Sequence, residues 1–264
     1  MEVCIVGAGA MGRWLAETLD ADLAIADVDE TRARETAAAV GGRTVPLEPD
    51  GDTYDAVCLA VPMGEVEAAI ATQAVRVDGA IVDVAGVMEP VLTAMDEYAP
   101  AVEHCSLHPL FAPERAPGSI AVVTRSAGPA TRAILADLET AENELVETTP
   151  AEHDGAMERV QAAAHAAVLA FAAAAEPVPE AFETPLYEGL REQVERIGAG
   201  TPRVYADVQD RFDGADAVAE AAGRIAEADH DELVSLIEDA TATWVDDRRE
   251  TSRSSTASGG VPDR

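Results

Sequence analysis

Three glycines and an acid, Gly7, Gly9, Gly12 and Asp27, have the types and spacing that bind a dinucleotide. The glycines follow the apolar run Val3-Cys4-Ile5-Val6, and Asp27 ends a second one, Leu23-Ala24-Ile25-Ala26. Gly7 suits a tight turn, Gly9 lets backbone approach a pyrophosphate, and Gly12 lets the following helix pack close on its strand. The phosphates then meet the free N–H groups of a helix N-terminus at Ala10 and Met11. At the end of the second strand Asp27 can accept hydrogen bonds from the ribose hydroxyls of NAD, and its charge repels the 2′-phosphate of NADP. A third run, residues 56–61, ends at Val61-Pro62, and its carboxyl end is expected to face the same nucleotide.

A second set of residues suits proton and carboxylate chemistry. His108 stands in Leu107-His108-Pro109-Leu110-Phe111, where the proline favours an extended backbone and a loop edge for the imidazole. An unperturbed imidazole titrates near ~6.5, so a neutral His108 can accept a proton at physiological pH. Farther on, Asp154, Glu158, Gln161 and His165 fall on one stripe of an otherwise apolar, alanine-rich helix. His165 lies midway along the apolar run, which favours a stripe that lines a pocket over one that faces solvent. His104, Cys105 and His108 match no zinc spacing and lack a fourth ligand, so no metal is expected.

The elements that must position these residues alternate through the first half. Strands are predicted over 2–6, 22–26, 56–61, 80–84 and 120–124, and helices near 11–19, 29–40, 64–73, 89–98 and 129–140. That rhythm predicts an α/β fold, an N-terminal doubly wound Rossmann-type parallel sheet, followed by an all-α helical domain. The boundaries expected are 1–149 for the dinucleotide-binding domain, 150–245 for a helical substrate and dimerisation domain, and 246–264 for a disordered polar tail. Helices are predicted over 152–176, 186–197, 202–211 and 214–245. Their many small residues let axes approach closely, which suits a homodimer interface.

Charge narrows the partners. Fifty acids against eighteen bases give a formal net charge of −32, and every base is arginine. Such a surface argues against nucleic acid and anionic membranes. With 48% hydrophobic residues it is not the composition of a disordered chain, and it resembles the solvated surface of a halophile's protein. Cys4, Cys58 and Cys105 sit in apolar runs and read as buried thiols of a reducing cytoplasm. The longest apolar stretch, residues 162–175, is too short to span a bilayer and carries His165. A soluble cytoplasmic protein is expected.

Together these motifs resemble the prephenate dehydrogenase family along nearly the whole chain. The glycine fingerprint and Asp27 match its nucleotide domain, and His108-Pro109-Leu110-Phe111 is similar to its His-Pro-Met-Phe loop. His153-Asp154 followed by Val160-Gln161 and His165 resembles its His-Asp and apolar-Gln-x-x-x-His pattern. Pro185-Leu186-Tyr187, Arg196 and the segment from Pro202 through Tyr205-Ala206-Asp207 resemble its later motifs. The resemblance implies NAD-dependent oxidative decarboxylation of prephenate to 4-hydroxyphenylpyruvate, in tyrosine biosynthesis. It gives His108 the hydrogen bond to the reacting hydroxyl, Arg196 a substrate carboxylate, and His165 and Gln161 further substrate contacts. Arogenate dehydrogenase is the alternative within the family, and a non-catalytic NAD-binding regulator the alternative outside catalysis. One loop departs from the pattern: Ala85-Gly86-Val87-Met88 stands where the family commonly has Ala-Ser-Val-Lys. What orients His108 is therefore open from sequence.

Overall fold

The computed structural model describes residues 1–256. By its internal contacts the chain divides into two units, Met1–Gly214 and Ala215–Arg264.

The first unit is built on an eight-stranded sheet. Its strands are β1 (Glu2–Val6), β2 (Asp22–Ala26), β3 (Arg43–Thr44), β4 (Tyr54–Leu59), β5 (Val77–Asp83), β6 (Glu103–Pro109), β7 (Ser119–Ser126) and β8 (Glu144–Glu147). Their spatial order is β3-β2-β1-β4-β5-β6-β7-β8. All neighbours are parallel except β6 and β7, which pair antiparallel. The order reverses between β1 and β4, so ligands are favoured at the carboxyl ends of those strands.

Central strands read as unbroken Val, Ile, Cys, Leu and Ala because both faces are covered. Helices α1 (Ala10–Thr18), α2 (Glu30–Val40) and α5 (Pro129–Thr140) supply one layer, in which Trp14, Leu15, Ala33, Ile134 and Leu138 pack on Val3, Ile5 and Val82. The other layer holds α3 (Val66–Gln73) and α4 (Glu89–Tyr98), with Val66, Ile70, Leu92 and Met95 on Cys4, Val57 and Ile81. Each Val, Leu, Ile or Met among them taken fully from water stabilises the fold by about 1.5–3 kcal/mol.

Met157, Ala162, Val208 and Phe212 join that second core, so the helical segments after β8 also pack here. They begin at α6 (Pro150–Met157), whose start is fixed by Pro150 and by a capping box between Thr149 and Glu152. The chain continues through a π-helical turn, Glu158–Ala163, into α7 (Ala164–Ala174). Helices α8 (Pro185–Ala199) and α9 (Pro202–Arg211) complete this part. The π-turn corrects the regular helix expected over 152–176. Gln209 of α9 donates to the Ala162 carbonyl at 2.9 Å, and Gly214 lies so close that a Cβ would stand 2.4 Å from the Glu158 carbonyl oxygen.

The second unit carries the rest of α10 (Gly214–Glu227) and α11 (His230–Thr256). One helix was expected over 214–245; instead the chain breaks before His230, where Asp229 accepts from the Asp231 and Glu232 amides. Helix also occupies 246–256, the start of the expected tail, and the remainder of that tail, 257–264, lies outside the described residues.

Candidate active site

The glycine loop has the tight turn and the close helix approach that its spacing predicts. Gly7 has a φ of +103°, and a Cβ on it would sit 2.3 Å from the Ala60 carbonyl oxygen. A Cβ on Gly12 would stand 1.8 Å from the Gly7 carbonyl oxygen, so the helix can approach the loop only without one. Gly9 faces open space and begins α1 with no side-chain cap, leaving its first N–H groups for a phosphate. The arrangement fits a dinucleotide. Asp27, at the end of β2, accepts from the Ala8 amide at 2.6 Å and the Asp29 amide at 2.7 Å, with the Arg32 guanidinium 3.5 Å away. It thereby ties the second strand to the glycine loop. Val61, partly buried, and exposed Pro62 follow β4 on the same edge.

Contacts run along that edge to the histidine. Met63 follows Pro62, and its methyl carbon lies where a side chain on Gly86 would begin, 2.7 Å from the position of a Cβ. The same Cβ position is 3.5 Å from His108 Nε2. The loop edge expected for His108 is corrected here: it is a residue of β6, paired with Ala121 across the antiparallel ladder, and only 8% exposed. Burial pushes its pKa down to about 3, with His153 adding to the fall and Asp154 opposing it. The value near 6.5 expected for a loop histidine is therefore also corrected, because desolvation disfavours the imidazolium.

Two side chains reach the ring nitrogens of His108. Nδ1 is 2.9 Å from His153 Nε2, and Nε2 is 3.4 Å from the Gln161 amide nitrogen. His153 Nδ1 in turn lies 2.8 Å from Asp154 Oδ1. The Asp154 carboxylate also accepts the Met88 and Glu89 amides at 3.0 and 3.1 Å. Met88 points its side chain into the core, so only its backbone serves the site.

Of the polar stripe predicted on the alanine helix, the structure brings Asp154 and Gln161 to the His108 cluster and leaves Glu158 exposed. His165 follows on α7 with its ring edge-on to Tyr205 at 4.8 Å and Nδ1 buried without a partner among the described residues; burial lowers its pKa. Arg196 stands exposed in the last turn of α8, a helix that packs on α7, and no hydrogen bond or ion pair joins it to His108, Gln161 or His165.

Sequence reasoning missed His153 as a partner of His108. Its signal was the adjacent His-Asp pair just inside a capped helix. His104, by contrast, is structural, held between Asp96 and the Ala99 carbonyl. Among the described residues no cluster has the make-up of a metal site.

Comparisons with known proteins bear on the family and the fold. No protein-family model matches the chain. It is 30% identical over 247 residues to the 4-amino-4-deoxyprephenate dehydrogenase of Streptomyces pristinaespiralis, an alignment covering 84% of this chain and 81% of the relative. Among solved structures it resembles prephenate dehydrogenase of Aquifex aeolicus, crystallised with hydroxyphenyl propionate and NAD+, at a TM-score of 0.72 and 14% identity, over 96% of this chain and 98% of that one. Synechocystis arogenate dehydrogenase follows at a TM-score of 0.63 and 17% identity, over 97% and 98% of the two chains. At such identities the structures speak for the fold, whereas the Streptomyces relative speaks for descent. The chain belongs to the family of prephenate-type dehydrogenases.

Proposed function

We propose that this protein catalyses the NAD-dependent oxidative decarboxylation of prephenate to 4-hydroxyphenylpyruvate, a step toward tyrosine. The observation that carries the reading is His108: a buried, neutral imidazole whose Nε2 faces Gln161 on the strand edge that also carries the glycine loop. NAD supplies the hydride acceptor. His108 Nε2 accepts a hydrogen bond from the C4 hydroxyl, which grows more acidic as hydride leaves C4. The bond to the ring carboxylate then breaks, its electrons complete the aromatic ring, and the oxygen ends as a phenol. Because the product keeps that hydroxyl proton, the step needs an acceptor and not a strong base, which suits an imidazole with a pKa of about 3.

Gln161 and His165 extend polar contacts to the substrate from the π-turn and α7. Arg196 provides the planar fork for a carboxylate, the one strong cation type in a chain without lysine. In this reading residues 1–149 bind cofactor and 150–245 bind substrate and form a homodimer. Helix α7 supports the last point, since it is built of Ala, Val, Leu and Phe around His165 yet has no buried residue. The three cysteines are buried and unpaired, and burial raises all three thiol pKa values, as suits a cytoplasmic protein. Among the described residues no helix is long and apolar enough to cross a membrane. The net charge of −32 speaks against nucleic-acid partners.

A second reading rests on the Streptomyces relative, whose name places an amino group at C4. An imidazole nitrogen can accept from N–H as well as from O–H, so His108 serves either substrate. The deciding experiment follows NADH formation by purified protein in molar KCl with prephenate, arogenate and 4-amino-4-deoxyprephenate offered separately. The highest kcat/KM with prephenate supports the proposal, and preference for the amine supports the second reading. NAD binding without turnover of any of the three would indicate a regulator.

A further inference from the structure

Asp154, His153 and His108 form a hydrogen-bonded row whose hydrogen positions follow from its far end. Asp154 is half-buried, yet the bonds from His153 and from the Glu89 and Met88 amides outweigh burial and hold its carboxyl below the usual range. An ionised carboxylate only accepts, so His153 Nδ1, 2.8 Å from Oδ1, carries a hydrogen. In neutral His153 the other nitrogen, Nε2, is then bare. It faces His108 Nδ1 at 2.9 Å, where one nitrogen must donate, so Nδ1 of His108 carries the hydrogen. His108 Nε2 is left bare, with the Gln161 amide beside it at 3.4 Å.

The opposite side of Nε2 offers no competing control. Gly86 has no side chain there, and the space is filled by the Met63 methyl, which neither donates nor accepts. Among the described residues only His153 and Gln161 hydrogen-bond the ring.

We propose that His153 and Asp154 are positioning residues that fix the tautomer of His108, so that with His153 neutral Nε2 meets the substrate as an acceptor. The proposal rests on the reading of His108 as the acceptor for the reacting group. Asp154 has a second duty in this arrangement. By accepting the Met88 and Glu89 amides it fixes the loop that ends at α4 to the same carboxylate that sets the tautomer.

The test begins with ligand-free protein labelled with nitrogen-15 on histidine, at about pH 8.5, some two units above an unperturbed imidazole. Long-range proton–nitrogen correlations report which ring nitrogen carries hydrogen, and single substitutions assign the five histidines. His108 and His153 are both expected in the Nδ1–H form. His153→Phe removes the acceptor, so His108 should shift toward Nε2–H and kcat should fall by about 10²-fold, while KM and the Kd for NAD stay within about twofold. His153→Gln offers Oε1 to His108 Nδ1–H and should restore both the tautomer and most of kcat.

Wild-type His108 carrying its hydrogen on Nε2 overturns the proposal, whatever the activity of the variants. So does His153→Phe with unchanged kcat, or His153→Gln with the right tautomer and the rate of the Phe variant. Failure of the wild-type chain to turn over any substrate would remove the functional reading instead, because the spectra need no substrate.

Discussion

Replacing Asp83 with Asn should stabilise the protein increasingly as pH rises. Asp83 ends β5 fully buried; Oδ2 accepts the Ala85 amide at 2.7 Å, while Oδ1 and the Ser106 hydroxyl on the adjacent strand make no hydrogen bond among the described residues. Burial raises its pKa from 3.8 to about 7, and the Ala85 amide and nearby Ser106 offset only part of that. Between those two values the folded chain holds a proton that the unfolded chain has released, so stability falls as pH rises. At ~1.36 kcal/mol per pH unit the accumulated cost is about 4 kcal/mol, all present above pH ~7 and absent below ~4. Asn keeps an oxygen for the Ala85 amide, turns an N–H toward the unpartnered Ser106 oxygen, and cannot ionise. Urea unfolding of both proteins at constant molar KCl, from about pH 4 to 8, gives the difference directly. The advantage of Asp83→Asn should be small in acid and grow by up to about 4 kcal/mol. A difference that does not change with pH would mean that Asp83 is ionised throughout, and the burial argument would fail.

His108→Asn should lower kcat by about 10²–10⁴ with NAD affinity unchanged. The wild-type kcat should show no inflection from His108 between pH 5 and 8, because burial keeps that ring neutral above about 3; a limb near 6.5 that vanishes in the variant would show the ring to be solvated. Arg196→Gln should raise the substrate KM by about tenfold, ~1.4 kcal/mol, without changing NAD affinity, and an unchanged KM would place Arg196 outside the site. Turnover should favour NAD over NADP because of Asp27, a preference that equal kcat/KM with both would refute. Folding and activity should improve as KCl rises to molar levels, where repulsion among the excess acids is screened to about 3 Å, and full stability in dilute buffer would count against that.

The parallel half was legible because its signals are local. A run such as Val3-Cys4-Ile5-Val6 buried on both faces, followed by glycines at fixed spacing, admits few other folds. Strands β3 and β8 were not, since Arg43-Thr44 and Glu144–Glu147 are short edge segments with little burial to pattern them. That a strand, β6, runs through His108 was hidden for a different reason. Pro109 signals a loop locally, but pairing with β7, a partner distant in sequence, keeps the strand going to the last turn before Leu110. The same holds for the site. His108 and Gln161 were visible as residue types, whereas the contact between His108 and His153 spans 45 positions and depends on how α6 docks on the sheet.

The π-turn at Glu158–Ala163 makes the chain length between α6 and α7 a determinant of the site. It closes with bonds five residues apart in place of four, so it spends one more residue than a regular turn. Deleting a single alanine there would let the helix return to its regular pitch with α7 in nearly the same phase, because the residue removed is the extra one that the turn spends. His165 would still meet Tyr205, whereas Gln161 and the Ala162 carbonyl, which lie inside the turn, would be re-placed relative to His108 and Gln209, with no polar residue removed. Within this segment, counting matters as much as composition: one small apolar residue sets where Gln161 stands without setting where α7 points.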